Sequence, residues 1–125
     1  MTRIVKTFVA SGAIGHRRLV KFTAAEGVVA LATAPTDIIA GVADYPSGAA
    51  DGERIDIVLF GPAEVVAGGV IAAGAPLTAG AAGAAVAAAP AVGVNAFTAG
   101  FTLTPAVASD FVKAIIQRGV IQGAA

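Results

Sequence analysis

The sequence predicts a mainly β protein, a small compact β-barrel or sandwich of β-tulip-like form, built from two related halves and holding little helix. Three observations carry that prediction. Two long runs, Arg54 to Phe60 and Phe111 to Arg118, alternate as strands do, every second side chain pointing to the same face of a sheet. Glycines cut the chain into short segments, among them Gly12, Gly15, Gly27, Gly41, Gly68, Gly74, Gly80 and Gly83, where turns call for φ > 0 or backbones pass close together. The halves also match in order: Leu19, Gly27, Gly41-Val42 and the run Asp51 to Gly61 correspond to Leu77, Gly83, Gly93-Val94 and Ser109 to Gly119, at offsets of 58, 56, 52 and 58 residues. A nearly constant offset marks a duplicated folding unit whose length changes are confined to loops.

Ile4 to Ala10 is the first expected strand, with Ile4, Lys6 and Phe8 set against Val5, Thr7 and Val9. Arg18 to Thr23 and Val28 to Leu31 follow, joined by the polar turn Thr23-Ala24-Ala25-Glu26-Gly27, which reads as a hairpin closed by glycine. After a strand at Ile39 to Ala43, the turn Asp51-Gly52-Glu53 opens the run Arg54 to Phe60, whose Ile55, Ile57 and Leu59 share one face. Short strands are expected at Ala63 to Val66, Ala84 to Ala88 and Ala91 to Val94. Alanine favours helix over Ala81 to Ala89, but Gly80, Gly83 and Pro90 bracket too few residues for a stable one. Asn95 to Ala108 is expected to be an added connecting loop, with Phe97, Phe101 and Leu103 packing on a neighbouring molecule or capping this domain's own core. Ser109-Asp110 then leads into Phe111 to Arg118, which ends at Gly119. Residues 1–10 are thus an N-terminal arm or first strand, and 11–125 a single β domain with internal duplication, about 12–67 and 68–125.

At 125 residues the chain is long enough to bury a core. Eight basic and eight acidic residues leave no net charge to attract nucleic acid or an anionic membrane, so neither partner is expected. Cysteine is absent, which removes disulfides and thiolate chemistry. Mean hydropathy is high at +0.84, and the 45 residues from Val65 to Ser109 carry no charge. That stretch is mostly Ala and Gly broken by Pro76, Pro90 and Pro105, and lacks the roughly 20 strongly apolar side chains of a membrane-crossing helix. No signal peptide is legible behind Arg3 and Lys6.

Chemistry finds little to hold. His16 is the single histidine, in a Gly-rich turn beside Arg17 and Arg18, and reads as a solvated turn residue because metal sites ordinarily need three or four ligands. Ser11, Ser47 and Ser109 fit no nucleophile elbow, and neither Gly12-Ala13-Ile14-Gly15 nor Gly68-Gly69-Val70 fits a phosphate-cradling loop. The carboxylates Asp37, Asp44, Asp51, Glu53 and Asp56 are expected to serve turns, solvation and pairing with Arg54. Arg17, Arg18 and Lys21 form the one local cationic cluster, a solvated face or a patch for an acidic partner. No enzymatic activity, cofactor or metal is expected. A carrier domain with a lysine at a hairpin tip is disfavoured, since Lys21 and Lys113 fall inside expected strands.

The order of segments Arg18 to Phe22, Asp37 to Ala43, Gly52 to Gly61 and Ala72-Ala73-Gly74-Ala75-Pro76-Leu77 followed by Gly83 resembles the capsid decoration, or capsid cement, proteins of tailed phages, over about Gly12 to Gly93. The resemblance implies a structural virion protein similar in role to the lambda-type head decoration proteins. Such a protein is made in the host cytoplasm, binds the outer surface of an expanded bacteriophage capsid as a homotrimer, and stabilises it by bridging subunits of the major capsid protein. A multivalent clip suits that role, because every contact must break before subunits separate. On this reading Thr2, Arg3, Ile4, Val5 and Lys6 form a candidate arm that adds a strand to a capsid subunit's sheet; they stand equally as the domain's own first strand. Phe97, Phe101 and Leu103 are the candidate interface loop. The alternative is a fibre or adhesin-like β module that binds a receptor or glycan.

Overall fold

A computed structural model describes residues 3–90 and 92–122. They form nine strands and one short 3-10 turn, with no α-helix. The strands are β1 (Ile4–Ala10), β2 (Leu19–Phe22), β3 (Val28–Leu31), β4 (Ile39–Ala43), β5 (Arg54–Val66), β6 (Pro76–Ala79), β7 (Ala85–Ala87), β8 (Asn95–Thr102) and β9 (Phe111–Gln122). Their order in the sheet is β1-β3-β2-β4-β5-β9-β8-β6-β7, and β1 also pairs with β5. That extra pairing closes β1, β3, β2, β4 and β5 into a five-stranded barrel. The fold is therefore the mainly β barrel that the alternation and glycine spacing predict.

The second half repeats the first, pair for pair. Phe8 lies opposite Ile55, Lys6 opposite Ile57 and Val5 opposite Val58 in the β1–β5 ladder. In the β5–β9 ladder Val65 lies opposite Val112, Ala63 opposite Ala114 and Pro62 opposite Ile115, each partner advanced by 57 residues. The isolated bridges Ile14–Ala49 and Ile71–Ala106 keep the same step. The parallel seam between β1 and β3, Ala10 against Val29, recurs as the bridge of Ala67 to Ala85, so β5, β9, β8, β6 and β7 wrap into a second barrel. The Gly68 N–H donates to the Ala85 carbonyl at 2.7 Å beside that seam. β5 is the wall that both barrels share.

Each barrel has its own interior, and the interiors correspond. Phe8, Ile14, Val20, Ile55 and Ile57 fill the first. Val65, Ile71, Leu77, Val112 and Ala114, each 57 positions later, fill the second. Alternation puts these side chains inward while their neighbours face out. Burying each large aliphatic side chain contributes on the order of 2 kcal/mol.

Several expected elements differ. Asn95 to Ala108 is not an added loop: β8 occupies Asn95–Thr102, paired to both β6 and β9. Its Phe and Thr side chains suit a pleated strand. The counterpart of Gly41 is accordingly Gly100 and not Gly93, because a Cβ on Gly41 would overlap the Val58 carbonyl oxygen and one on Gly100 the Ile115 carbonyl oxygen. Ala63 to Val66 is the continuation of Arg54 to Phe60 in one 13-residue strand. Gly61, at φ 109°, bends that strand without stopping it. Likewise β9 runs through Gly119 to Gln122. Around Ala91 to Val94 only a single bridge at Val92 forms, and Ala91 lies outside the described residues.

Candidate interaction surface

Ile4 to Lys6 sit in the barrel wall. They are the first half of β1, opposite Phe60, Val58 and Ile57 of β5, with a register slip between Ile4 and Val5. Ile4 and Val5 are 56% and 44% exposed. Among the described residues β1 meets β3 on its other side only at Val9 and Ala10, and no described strand pairs with that edge of Ile4 to Thr7. Arg3 lies just before the strand and pairs with Asp44 at 3.0 Å. Thr2 lies outside the described residues.

Where the barrels meet, a groove of about 280 Å³ runs between Arg3, Arg17 and Asp44 of the first and Pro62, Glu64, Leu103 and Lys113 of the second. Arg17 organises it. The Arg17 guanidinium lies 3.0 Å from a Glu64 carboxylate oxygen and 4.3 Å from the centroid of the Phe111 ring. Its backbone carbonyl accepts from the Val66 N–H at 3.0 Å. Ion pairs this exposed each contribute about 0–1 kcal/mol, so the groove is held mainly by backbone pairing and packing.

The cationic cluster read from the sequence is dispersed. Arg17 pairs with Glu64, Arg18 donates to the Ala82 carbonyl at 3.4 Å, and Lys21 lies 3.6 Å from Asp37. His16 is half-buried, and its Nδ1 accepts from the Tyr45 N–H at 3.0 Å. It is a positioned structural residue, where a solvated one was expected. Four of the eight carboxylates accept from backbone N–H groups: Glu53 from Ala50 and Asp37 from Thr33 and Ala34 within their turns, and Asp51 from the distant Gly12. Asp110 accepts from Val107 N–H, the second-half copy of the Glu53 bond. Among the described ion pairs none involves Arg54. Among the described residues no group of three or more His, Cys, Asp or Glu is placed to hold a metal, and no helix is long and apolar enough to cross a membrane.

Phe97, Phe101 and Leu103 do not form one loop. Phe97 is half-buried at the far end of β8, where its N–H donates to Pro35 and its carbonyl accepts from the Thr78 hydroxyl. Phe101 and Leu103, 39% and 50% exposed, lie at the other end on the outer surface of the second barrel. Phe101 is directly opposite Ile115 of β9 and Pro76 of β6. Ile115 is in turn opposite Pro62 of β5. Directly opposed residues share a sheet face, so Pro62, Ile115, Phe101 and Pro76 make one apolar row across four strands. Sequence reading missed that row because its members come from four segments with no common local pattern.

No protein-family model matches the chain, and no curated protein does. Among solved structures, the chain is similar in fold to the N base of the head fiber gp8.5 of bacteriophage phi29, with 18% identity and a TM-score of 0.62 over 93% of this chain and 95% of that one. At that identity the shared feature is the fold, over nearly the whole length of both chains.

Proposed function

We propose that this chain is a structural accessory protein of a bacteriophage head, seated on the outer capsid surface, where it bridges subunits of the major capsid protein as a homotrimer and stabilises the expanded shell. The observation that carries the reading is the end-to-end likeness in fold to the base of a phage head fibre. The side chains support it. His16 and four of the eight carboxylates are committed to backbone N–H groups, while Ile4, Val5, Phe60, Phe101, Leu103 and Phe111 stand exposed for contact. The role proposed is therefore binding without catalysis. The test is to mix purified protein with expanded phage heads that lack it, sediment the heads and image them. Saturable binding at a fixed number of copies per head, with regular surface density and greater resistance to heat, is expected. Heads that stay bare at micromolar protein would end the proposal.

A second reading, a fibre module that binds a receptor or glycan, is favoured by one observation: the solved neighbour is itself a fibre base. Imaging separates the two, since a fibre module projects from isolated positions and a bridging protein covers a lattice.

A further inference from the structure

The apolar row on the second barrel has a counterpart on the first, and the two are treated differently. Leu19 lies opposite Val42, and Val42 and Val5 opposite Val58. These are the positions of Pro76, Phe101, Ile115 and Pro62 in the second barrel, matched by pairing partner for partner. On the first barrel Leu19, Val42 and Val58 are fully buried, although they face away from its interior. What covers them is the second barrel, with whose core they form a single packed cluster. The turn between β6 and β7 takes part: a Cβ on Gly83 would meet the Leu19 carbonyl oxygen, Arg18 and Leu31. On the second barrel the matching Phe101 and Pro76 are exposed, with Ile115 and Pro62 half-buried beside them.

We propose that the row Pro62, Ile115, Phe101 and Pro76 is the docking surface for a second copy of this chain, whose first barrel sits on it as the second barrel sits on the first within one molecule. The occupant follows from continuity with the contact inside the chain. The turn of the second barrel that reaches Arg18, Leu31 and the Leu19 carbonyl, Ala82-Gly83 between β6 and β7, has a first-barrel equivalent in the turn Glu26-Gly27, and that turn is exposed. Gly27 and Gly83 even share the left-handed conformation, at φ 74° and 78°. Each chain thus carries one unfilled socket and one free plug of the same type. A contact between two different faces is heterologous and continues from copy to copy, into a ring where the rotation closes. This deepens the assembly part of the proposed function and does not depend on capsid binding, so it is tested on the purified chain alone.

The chain contains no cysteine, so introduced thiols report contacts without background. Glu26→Cys lies on the plug turn, and Ala75→Cys occupies the position that matches Arg18, which touches Gly83 within the chain. Under mild oxidation the two single variants mixed together should cross-link into mixed dimers, and neither alone should cross-link with itself. Light scattering should show concentration-dependent association of the wild-type protein. Phe101→Gln should weaken it at least tenfold with unchanged circular dichroism and melting temperature; should that variant misfold, Pro76→Asp at the exposed end of the row replaces it. A wild-type chain that stays monomeric at millimolar concentration would overturn the proposal. So would association unaffected by a folded row variant, or self-cross-linking of a single variant as efficient as that of the mixture. Capsid binding by a chain that fails these tests would leave the head-protein reading standing.

Discussion

The Arg17 guanidinium lies over the Phe111 ring, 4.3 Å from its centroid, and joins the first barrel to the opening residue of the last strand. Arg17 holds this position from a left-handed backbone conformation, φ 63°, that a non-glycine residue adopts at a cost of about 1–2 kcal/mol. Its equivalent in the second half is Gly74, at φ 80°. The contact with Phe111 and the pair with Glu64 offset that cost.

Arg17→Ala is therefore expected to lose about 1–2 kcal/mol of stability, keeping the backbone strain and losing the cation–π contact and ion pair. Arg17→Gly should lose about 1 kcal/mol less, because it relieves the strain. Urea unfolding of both variants measures the difference, and equal losses would mean that the backbone conformation there is unstrained.

Ser109 occupies the position of Gly52, with φ 73° against 83°. Ser109→Gly should raise stability by up to about 1 kcal/mol, and Gly52→Ser should lower it by a similar amount. Thermal unfolding of the pair checks both signs together.

Gly41→Ala and Gly100→Ala each push a methyl group into a carbonyl oxygen of the neighbouring strand, that of Val58 or Ile115. Backbone cannot move aside as a flexible side chain can, so each variant should lose more than about 3 kcal/mol or fail to accumulate as folded protein. Gly12→Ala, with nothing within 4 Å of the added carbon, isolates the effect of positive φ alone. It should lose about 1 kcal/mol.

His16→Ala removes the acceptor of the half-buried Tyr45 N–H. The expected loss is about 1–2 kcal/mol. His16→Asn, which can present an oxygen at a similar reach, should recover part of it, and denaturant midpoints of the two variants compare them directly.

The barrel walls were legible where side chains are large. Ile55, Ile57 and Val112 fall on alternate positions of their runs and lie in the two interiors. Two acidic turn residues were legible too, since Glu53 and Asp110 each sit three positions from the N–H group they accept from, whereas Asp51 accepts from the distant Gly12. The duplication was legible in outline but not in register. Gly93-Val94 copies the letters of Gly41-Val42, whereas Gly100 copies its physical task, close passage over a carbonyl from a strand distant in sequence. That task leaves no local mark, and the misplaced match turned β8 into an apparent loop.

Residues that meet across the fold were the least legible. Arg3 and Asp44, or Arg17 and Phe111, come together only when strands distant in sequence pair and the two barrels pack. The row of Pro62, Ile115, Phe101 and Pro76 arises the same way, one residue from each of four strands.

Arg54–Val66 passes unbroken from the wall of one barrel into the wall of the next. A load applied to either barrel is carried to the other along covalent backbone and resisted by ladders on both flanks, so the molecule bears tension as a single strap and not as two beads on a string. The shared strand couples the two barrels, and heat or pulling should release both in one step.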